Sequence, residues 1–179
     1  MSNTVCPETL RIAGIERDSI VDGPGIRYVI FTQGCPHHCP GCHNPQTHDP
    51  AGGREADVEE IVRQIDADPL ISGVTFSGGE PFLQAEALVP LAEAVKAQGR
   101  NLMIYTGYRY EELMEMERPG VHRLLELADL LVDSPFLLVE RDLTLAYRGS
   151  ANQRVIDLKK SRQQREAVLY RSEYDDLTF

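Results

Sequence analysis

Apolar residues in this chain come in short, nearly unbroken runs, separated by longer stretches with a helical period. Tyr28-Val29-Ile30-Phe31 runs into Gln33-Gly34, and Gly73-Val74-Thr75-Phe76 into Gly78-Gly79. Leu102-Met103-Ile104-Tyr105 ends near Gly107, Leu130-Leu131-Val132 meets Asp133-Ser134-Pro135, and Arg154-Val155-Ile156 forms a fifth run. β-Branched and aromatic residues bounded by turn formers predict strands. The lack of polar alternation predicts a parallel sheet covered on both faces. Between the runs, Val58, Ile61, Val62 and Ile65 fall at i, i+3, i+4 and i+7, as do Leu88, Leu91, Ala92 and Val95, with Gly99 placed to end that helix. Weaker helical patterns cover residues 111–117 and 121–128, broken at Pro119-Gly120. Strand alternating with helix predicts βαβ units with right-handed crossovers. A chain of 179 residues is too short for a full eight-stranded barrel of about 250. Five to six strands therefore predict an open, partial parallel β/α barrel. One domain is expected, with residues 1–157 as the barrel and its N-terminal extension and residues 158–179 as a partly helical tail.

Charge narrows the partners. Lys and Arg number 18 against 28 Asp and Glu, a formal net charge of −10. That balance speaks against nucleic acid or an anionic membrane as partner. No apolar run approaches the ~18 residues of a membrane span, and the first fifteen residues lack the apolar core of a secretory signal. The expected compartment is the cytoplasm. Lys159, Lys160, Arg162 and Arg165 form a basic run in an otherwise acidic chain, read either as a solvated helix face or as a docking element.

Cysteine placement carries the chemistry. Cys6 stands apart, whereas Cys35, Cys39 and Cys42 crowd into a Pro/Gly-rich loop directly after a predicted strand. In a β/α barrel such loops form the active face. In a reducing compartment such crowding reads as metal or redox chemistry before disulfides, which would leave an odd thiol. The spacing C-x3-C-x2-C supplies three ligands. A 4Fe-4S cluster usually takes four cysteines, so three leave one iron open for a substrate or cofactor. The competing reading is zinc, held by the three cysteines with His43, or with one of His37, His38 and His48.

The cysteine loop, together with Phe76-Ser77-Gly78-Gly79-Glu80-Pro81 after the second predicted strand, resembles the radical S-adenosylmethionine (SAM) enzymes. Two glycines there let backbone approach a ligand closely. Upstream, Asp22-Gly23-Pro24-Gly25-Ile26-Arg27 followed by the Cys-His-Asn-Pro end of the loop resembles the glycyl-radical-enzyme activases. Two branches of these are the pyruvate formate-lyase activating enzymes and the anaerobic ribonucleoside-triphosphate reductase activating proteins. The short chain is similar to the second branch. So are Tyr105-Thr106-Gly107-Tyr108, Leu131-Val132-Asp133 with Phe136, and Arg148-Gly149-Ser150-Ala151-Asn152-Gln153. The resemblance spans about residues 20–157. It departs at His43, where the superfamily often has an aromatic residue, and it has no counterpart for Cys6.

The resemblance implies that Cys35, Cys39 and Cys42 hold a 4Fe-4S cluster whose open iron is chelated by SAM. It puts Gly78, Gly79 and Glu80 beside the methionine end, and Gly41, Cys42 and His43 on the adenine side. Reductive cleavage of SAM would give a 5′-deoxyadenosyl radical that takes hydrogen from a glycine of the partner reductase. Flavodoxin or ferredoxin would be the low-potential donor, and neither nucleic acid nor membrane is implied. Asp22, Arg27, Tyr105, Asp133 and Arg148 would face the partner's glycine loop. Each also has a structural reading: Asp22 and Arg27 holding the Gly-Pro-Gly turn, Asp133 capping a helix, Arg148 in an ion pair. The other readings are a lyase-type activase, a radical SAM enzyme for a small metabolite such as a deazapurine-forming synthase, and a zinc-stabilised adaptor without catalysis.

Overall fold

A computed structural model describes residues 9–171. Cys6 and residues 172–179 lie outside the described residues. Among those described, the strands are β1 (Leu10–Ser19), β2 (Arg27–Thr32), β3 (Arg54–Ala56), β4 (Gly73–Gly78), β5 (Asn101–Tyr105), β6 (Leu130–Asp133) and β7 (Arg154–Asp157). The helices are α1 (Val58–Asp66), α2 (Ala85–Ala97), α3 (Tyr110–Glu115), α4 (Pro119–Leu127) and α5 (Leu158–Gln164). They form one open sheet in the order β3-β1-β2-β4-β5-β6-β7.

Four central strands are parallel, with Arg27 opposite Gly73, Gly73 opposite Asn101 and Met103 opposite Leu130. Their C-terminal ends therefore share one edge of the sheet, and the loops that leave them meet there. Two strands, β1 and β7, run the other way. β1 is antiparallel to β2 and to β3, and β7 is antiparallel to β6. The five predicted strands are present, but the all-parallel expectation is corrected at β7. A parallel return needs a crossover, usually helical, and the connection 134–153 holds only the single turn Leu138–Glu140. β1 and β3 add two strands beyond those read from the apolar runs.

Alternate residues divide the central strands between two faces. Tyr28, Ile30, Val74, Phe76, Leu102 and Ile104 join the main core under the helices. α1 buries Ile61 and Ile65 there, and α2 buries Leu88, Leu91, Ala92 and Val95. Asp57 caps α1 by accepting from the N–H groups of Glu59 and Glu60. After α2, Gly99 turns left-handed at φ +72°. Its N–H bonds to Lys96 O and that of Arg100 to Val95 O, which closes the helix end. Pro119 starts α4 rather than breaking a helix, because the first helical position needs no N–H donor.

The other face carries a small cluster of Met103, Leu130, Val132 and Val155. Beyond β7, residues 158–171 pack on the same body. α5 buries Leu158 and Ser161. The chain then returns along β7, with Asp157 N–H bonded to Val168 O and Tyr170 N–H to Val155 O. Within the basic run, Arg162 donates to Leu125 O and Ala128 O at the end of α4, and Lys160 pairs with Asp157, while Lys159 is exposed.

Candidate functional site

Backbone bonds shape the cysteine loop before any ligand enters. Gly34 N–H donates to Thr47 O (2.8 Å), Cys35 N–H to His48 O (3.1 Å) and Cys42 N–H to Cys39 O (3.1 Å). The Gln33 amide donates to Gln46 O and Asp49 O, so the far end of the loop is tied back to β2. Gly34, His38 and Gly41 take positive φ angles, which fold the loop back on itself.

The three free thiols are half-buried and open into one cavity of about 350 Å³. Burial pushes the Cys35 thiol above its ordinary pKa, partly opposed by the backbone N–H groups of His37 and His38. Asn44 N–H donates to Cys42 Sγ. Soft thiolate donors suit an iron–sulfur cluster. Each would bind a different iron, so the set needs to ring a body rather than converge on a point. Among the described residues, no three His, Cys, Asp or Glu side chains are placed to hold a single metal ion, as the zinc reading requires. Of the imidazoles, His37 meets Glu80 through Nε2, His43 packs against Phe136 at 5.0 Å and His38 lies edge-on to His48 at 5.0 Å. The donor set fits a cluster held by three cysteines.

Eight of the sequence-predicted residues share the cavity wall: Cys35, Cys39, Cys42, His43, Gly78, Gly79, Asp22 and Tyr105. The Asp22 carboxylate accepts from Ser19 O–H, and its carbonyl accepts from Thr75 O–H. Tyr105 O–H donates to Tyr147 O, and burial holds its phenol well above the ordinary range. The remaining five sit elsewhere. Gly41 backs onto Leu138. Glu80 lies fully buried beneath the wall. Arg27 is fully buried and holds the turn, donating to Pro24 O, Val74 O, Thr75 Oγ1 and Asn101 Oδ1. Burial lowers its guanidinium to about 10. Arg27 is thus turned away from any incoming loop. Asp133, also fully buried, pairs with Arg154 and accepts from Tyr110 N–H at the start of α3; it is not an N-cap as the sequence suggested, since Arg109 holds that position and Asp133 reaches the helix start from the end of β6. Arg148 donates to Gln153 O and, among the described residues, makes no ion pair, although its neighbour Gly149 lines the cavity.

The paired glycines answer to the protein's own backbone. A Cβ on Gly78 would lie 2.6 Å from Phe31 Cα, and one on Gly79 would lie 2.3 Å from Gly34 O. Phe136 and Gln153, named in the sequence only within the stretches that match the reductase branch, line the cavity, and so do Ser134, Thr106 and Gly107, which sequence reasoning did not single out as site residues. The signal for these last three was position alone, in connections that follow predicted strands.

A family described as "4Fe-4S single cluster domain" matches residues 21–156. The chain belongs to that family. It is 32% identical over 142 residues to the anaerobic ribonucleoside-triphosphate reductase-activating protein of Haemophilus influenzae, covering 75% of this chain and 89% of that protein. The protein of that name from Escherichia coli K12 is 32% identical over 148 residues, covering 78% and 94%. The pyruvate formate-lyase-activating enzyme of Clostridium pasteurianum is 45% identical over 114 residues, but the match covers 59% of this chain and 48% of that enzyme. This chain thus spans about half the length of that relative. Relatives from both branches of the activase resemblance are found. Among solved structures, QueE from Escherichia coli reaches a TM-score of 0.47 at 20% identity, covering 55% of this chain and 53% of that one, a likeness too slight to bear on the site. Among the described residues, no helix is long and apolar enough to cross a membrane.

Proposed function

We propose that this chain is a radical SAM activase that generates a glycyl radical on an anaerobic ribonucleoside-triphosphate reductase. The observation that carries the reading is the convergence of three free thiols from one loop with the Gly78-Gly79 turn in a single cavity at the C-terminal edge of parallel strands. Cys35, Cys39 and Cys42 hold a 4Fe-4S cluster. When bound, the cluster and SAM supply a low-potential electron and the radical that removes hydrogen from the partner's glycine. The protein's part is binding and orientation. Gly78 and Gly79 present backbone beside the methionine end of SAM. His43, set against Phe136, offers a ring face to the adenine. A flavodoxin or ferredoxin supplies the electron.

The choice of reductase is supported by relatives that match over nearly their whole length. The higher identity to a lyase-activating enzyme over a shorter span favours a second reading, activation of pyruvate formate-lyase. The deciding experiment incubates the anaerobically loaded, reduced protein and SAM with each partner, and counts glycyl radicals by electron paramagnetic resonance. A strong signal on the reductase and little on the lyase is expected. The reverse would overturn the branch, and no radical on either would overturn the activity.

A further inference from the structure

We infer that His37 is a positioning residue, which latches the cysteine loop to the turn after β5 through Glu80 and so sets where Cys35 and Cys39 stand in the cavity. The inference rests on the cluster reading of the site proposed above.

The carboxylate of Glu80 has no solvent exposure. A carboxylate in that setting is costly unless its oxygens are answered by donors. Four answer it. Oε1 accepts from Phe82 N–H at 3.0 Å, Oε2 from Gly107 N–H at 2.9 Å, and Thr106 Oγ1 lies 2.9 Å from both oxygens. The fourth is His37 Nε2, 2.8 Å from Oε2. An ionised carboxylate only accepts, so Nε2 carries the hydrogen.

These donors belong to three different connections. Phe82 lies after β4, Thr106 and Gly107 lie after β5, and His37 lies after β2, between two of the clustered cysteines. His37 is therefore the side chain through which the cysteine loop reaches the buried anion. Packing closes the same contact. A Cβ on Gly107 would meet the His37 ring at 2.3 Å, so the ring lies directly over that glycine. The Tyr108 ring meets it edge-on, with centroids 4.6 Å apart. The His37 side chain keeps 16% of its exposure, so it closes the joint from the solvent side and is no part of the core.

The test compares wild type, His37→Ala and His37→Gln, the last placing an amide N–H near the position of Nε2. In cluster-free protein, amide hydrogen exchange is followed in peptides spanning residues 35–39 and 105–109. In anaerobically loaded protein, the readouts are iron and sulfide per chain, the rate of iron loss to a chelator, and the change that SAM makes in the resonance spectrum of the reduced cluster. His37→Ala should exchange about tenfold faster in both peptides, as expected for loss of a hydrogen bond to a charged group. It should also lose iron faster and bind SAM more weakly, with a melting temperature lowered by about 3–6 °C. His37→Gln should restore all of these. Wild-type rates of exchange and iron loss in His37→Ala, or no rescue by His37→Gln, would overturn the inference. A wild-type chain that takes up no cluster would overturn the reading of the site and the inference with it, whereas a loaded wild type beside an indifferent His37→Ala overturns the inference alone.

Discussion

Replacing Gly79 by alanine separates two reasons for a glycine at this turn. If glycine served only to admit a ligand, the variant would fold and take up its cluster normally while binding SAM poorly. The packing says otherwise. The added Cβ would lie 2.3 Å from Gly34 O, 2.9 Å from Gly34 C and 3.0 Å from Thr32 O, all backbone atoms. Gly79 does not take a positive φ, so the conflict is purely one of space. Neither obstacle yields cheaply. Thr32 O accepts from Gly79 N–H (2.8 Å), Gly34 O accepts from Glu80 N–H (2.7 Å), and Gly34 N–H is held by Thr47 O (2.8 Å). Relief means opening the first two bonds. Each is worth about 1 kcal/mol net, and leaving the buried groups partly unpaired adds to that, for a total of about 3 kcal/mol. For a chain of this size, that lowers the melting temperature by about 6–12 °C. Because the same bonds anchor the start of the cysteine loop, iron uptake should fall as well. Thermal unfolding of the cluster-free protein by circular dichroism, with iron analysis after loading, measures both. Gly14→Ala is the control: nothing lies within 4 Å of a Cβ there, so its melting temperature should match or slightly exceed wild type. A Gly79→Ala protein melting within about 2 °C of wild type and holding full iron would refute the steric argument.

Alanine at Cys35, Cys39 or Cys42 should abolish the cluster, while Cys6→Ala should keep it, as read by iron and sulfide analysis. Arg154→Met strands the fully buried Asp133 carboxylate, which keeps only Tyr110 N–H and Ser134 O–H. Since Arg154 is itself partly exposed, a loss of about 2–3 kcal/mol is expected, read from the urea midpoint. The buried Tyr105 phenol titrates above its unfolded value of about 10. The stability that it contributes is therefore complete below pH 10 and is lost as pH rises beyond it. Melting curves from pH 9 to 11 should fall less steeply for Tyr105→Phe than for wild type, and parallel curves would contradict the assignment.

The parallel heart of the sheet was legible because its strands are buried on both sides and so read as unbroken apolar runs. β1 was not, because its burial is graded: Leu10 and Ile12 are buried, while Glu16, Arg17 and Asp18 lie in water. β3 is Arg-Glu-Ala and exists only through its pairing with β1. The direction of β7 is invisible in an apolar run, although the missing helical pattern across residues 134–153 was a usable sign. At the site, the thiols and glycines were legible from spacing. The burial of Arg27 was not, since arginine is rarely a core residue, and its hydrogen-bond partners Thr75 and Asn101 lie far away in sequence. The four-donor hub around Glu80 was equally hidden, because its partners come from three separate loops.

On the activase reading proposed above, the antiparallel return of β7 bears on how the choice of partner can change. The segment 134–153 contributes Ser134, Phe136, Gly149 and Gln153 to the cavity, yet carries no crossover helix. Each other inter-strand connection of the parallel core is constrained in length by a helix that must pack on the sheet. This one is held by its own bonds, Leu137 N–H to Ser150 Oγ and the Asn152 amide to Pro135 O, and by Phe136 and Leu138 against the cysteine loop, while residues 142–147 project between the paired stretches, where loop closure costs little for added residues. Insertions between residues 142 and 147 reshape the rim of the cavity without disturbing the sheet or the buried carboxylate. On that reading, divergence in partner choice has a place to accumulate, and exchanging residues 142–147 between activases is the way to test it.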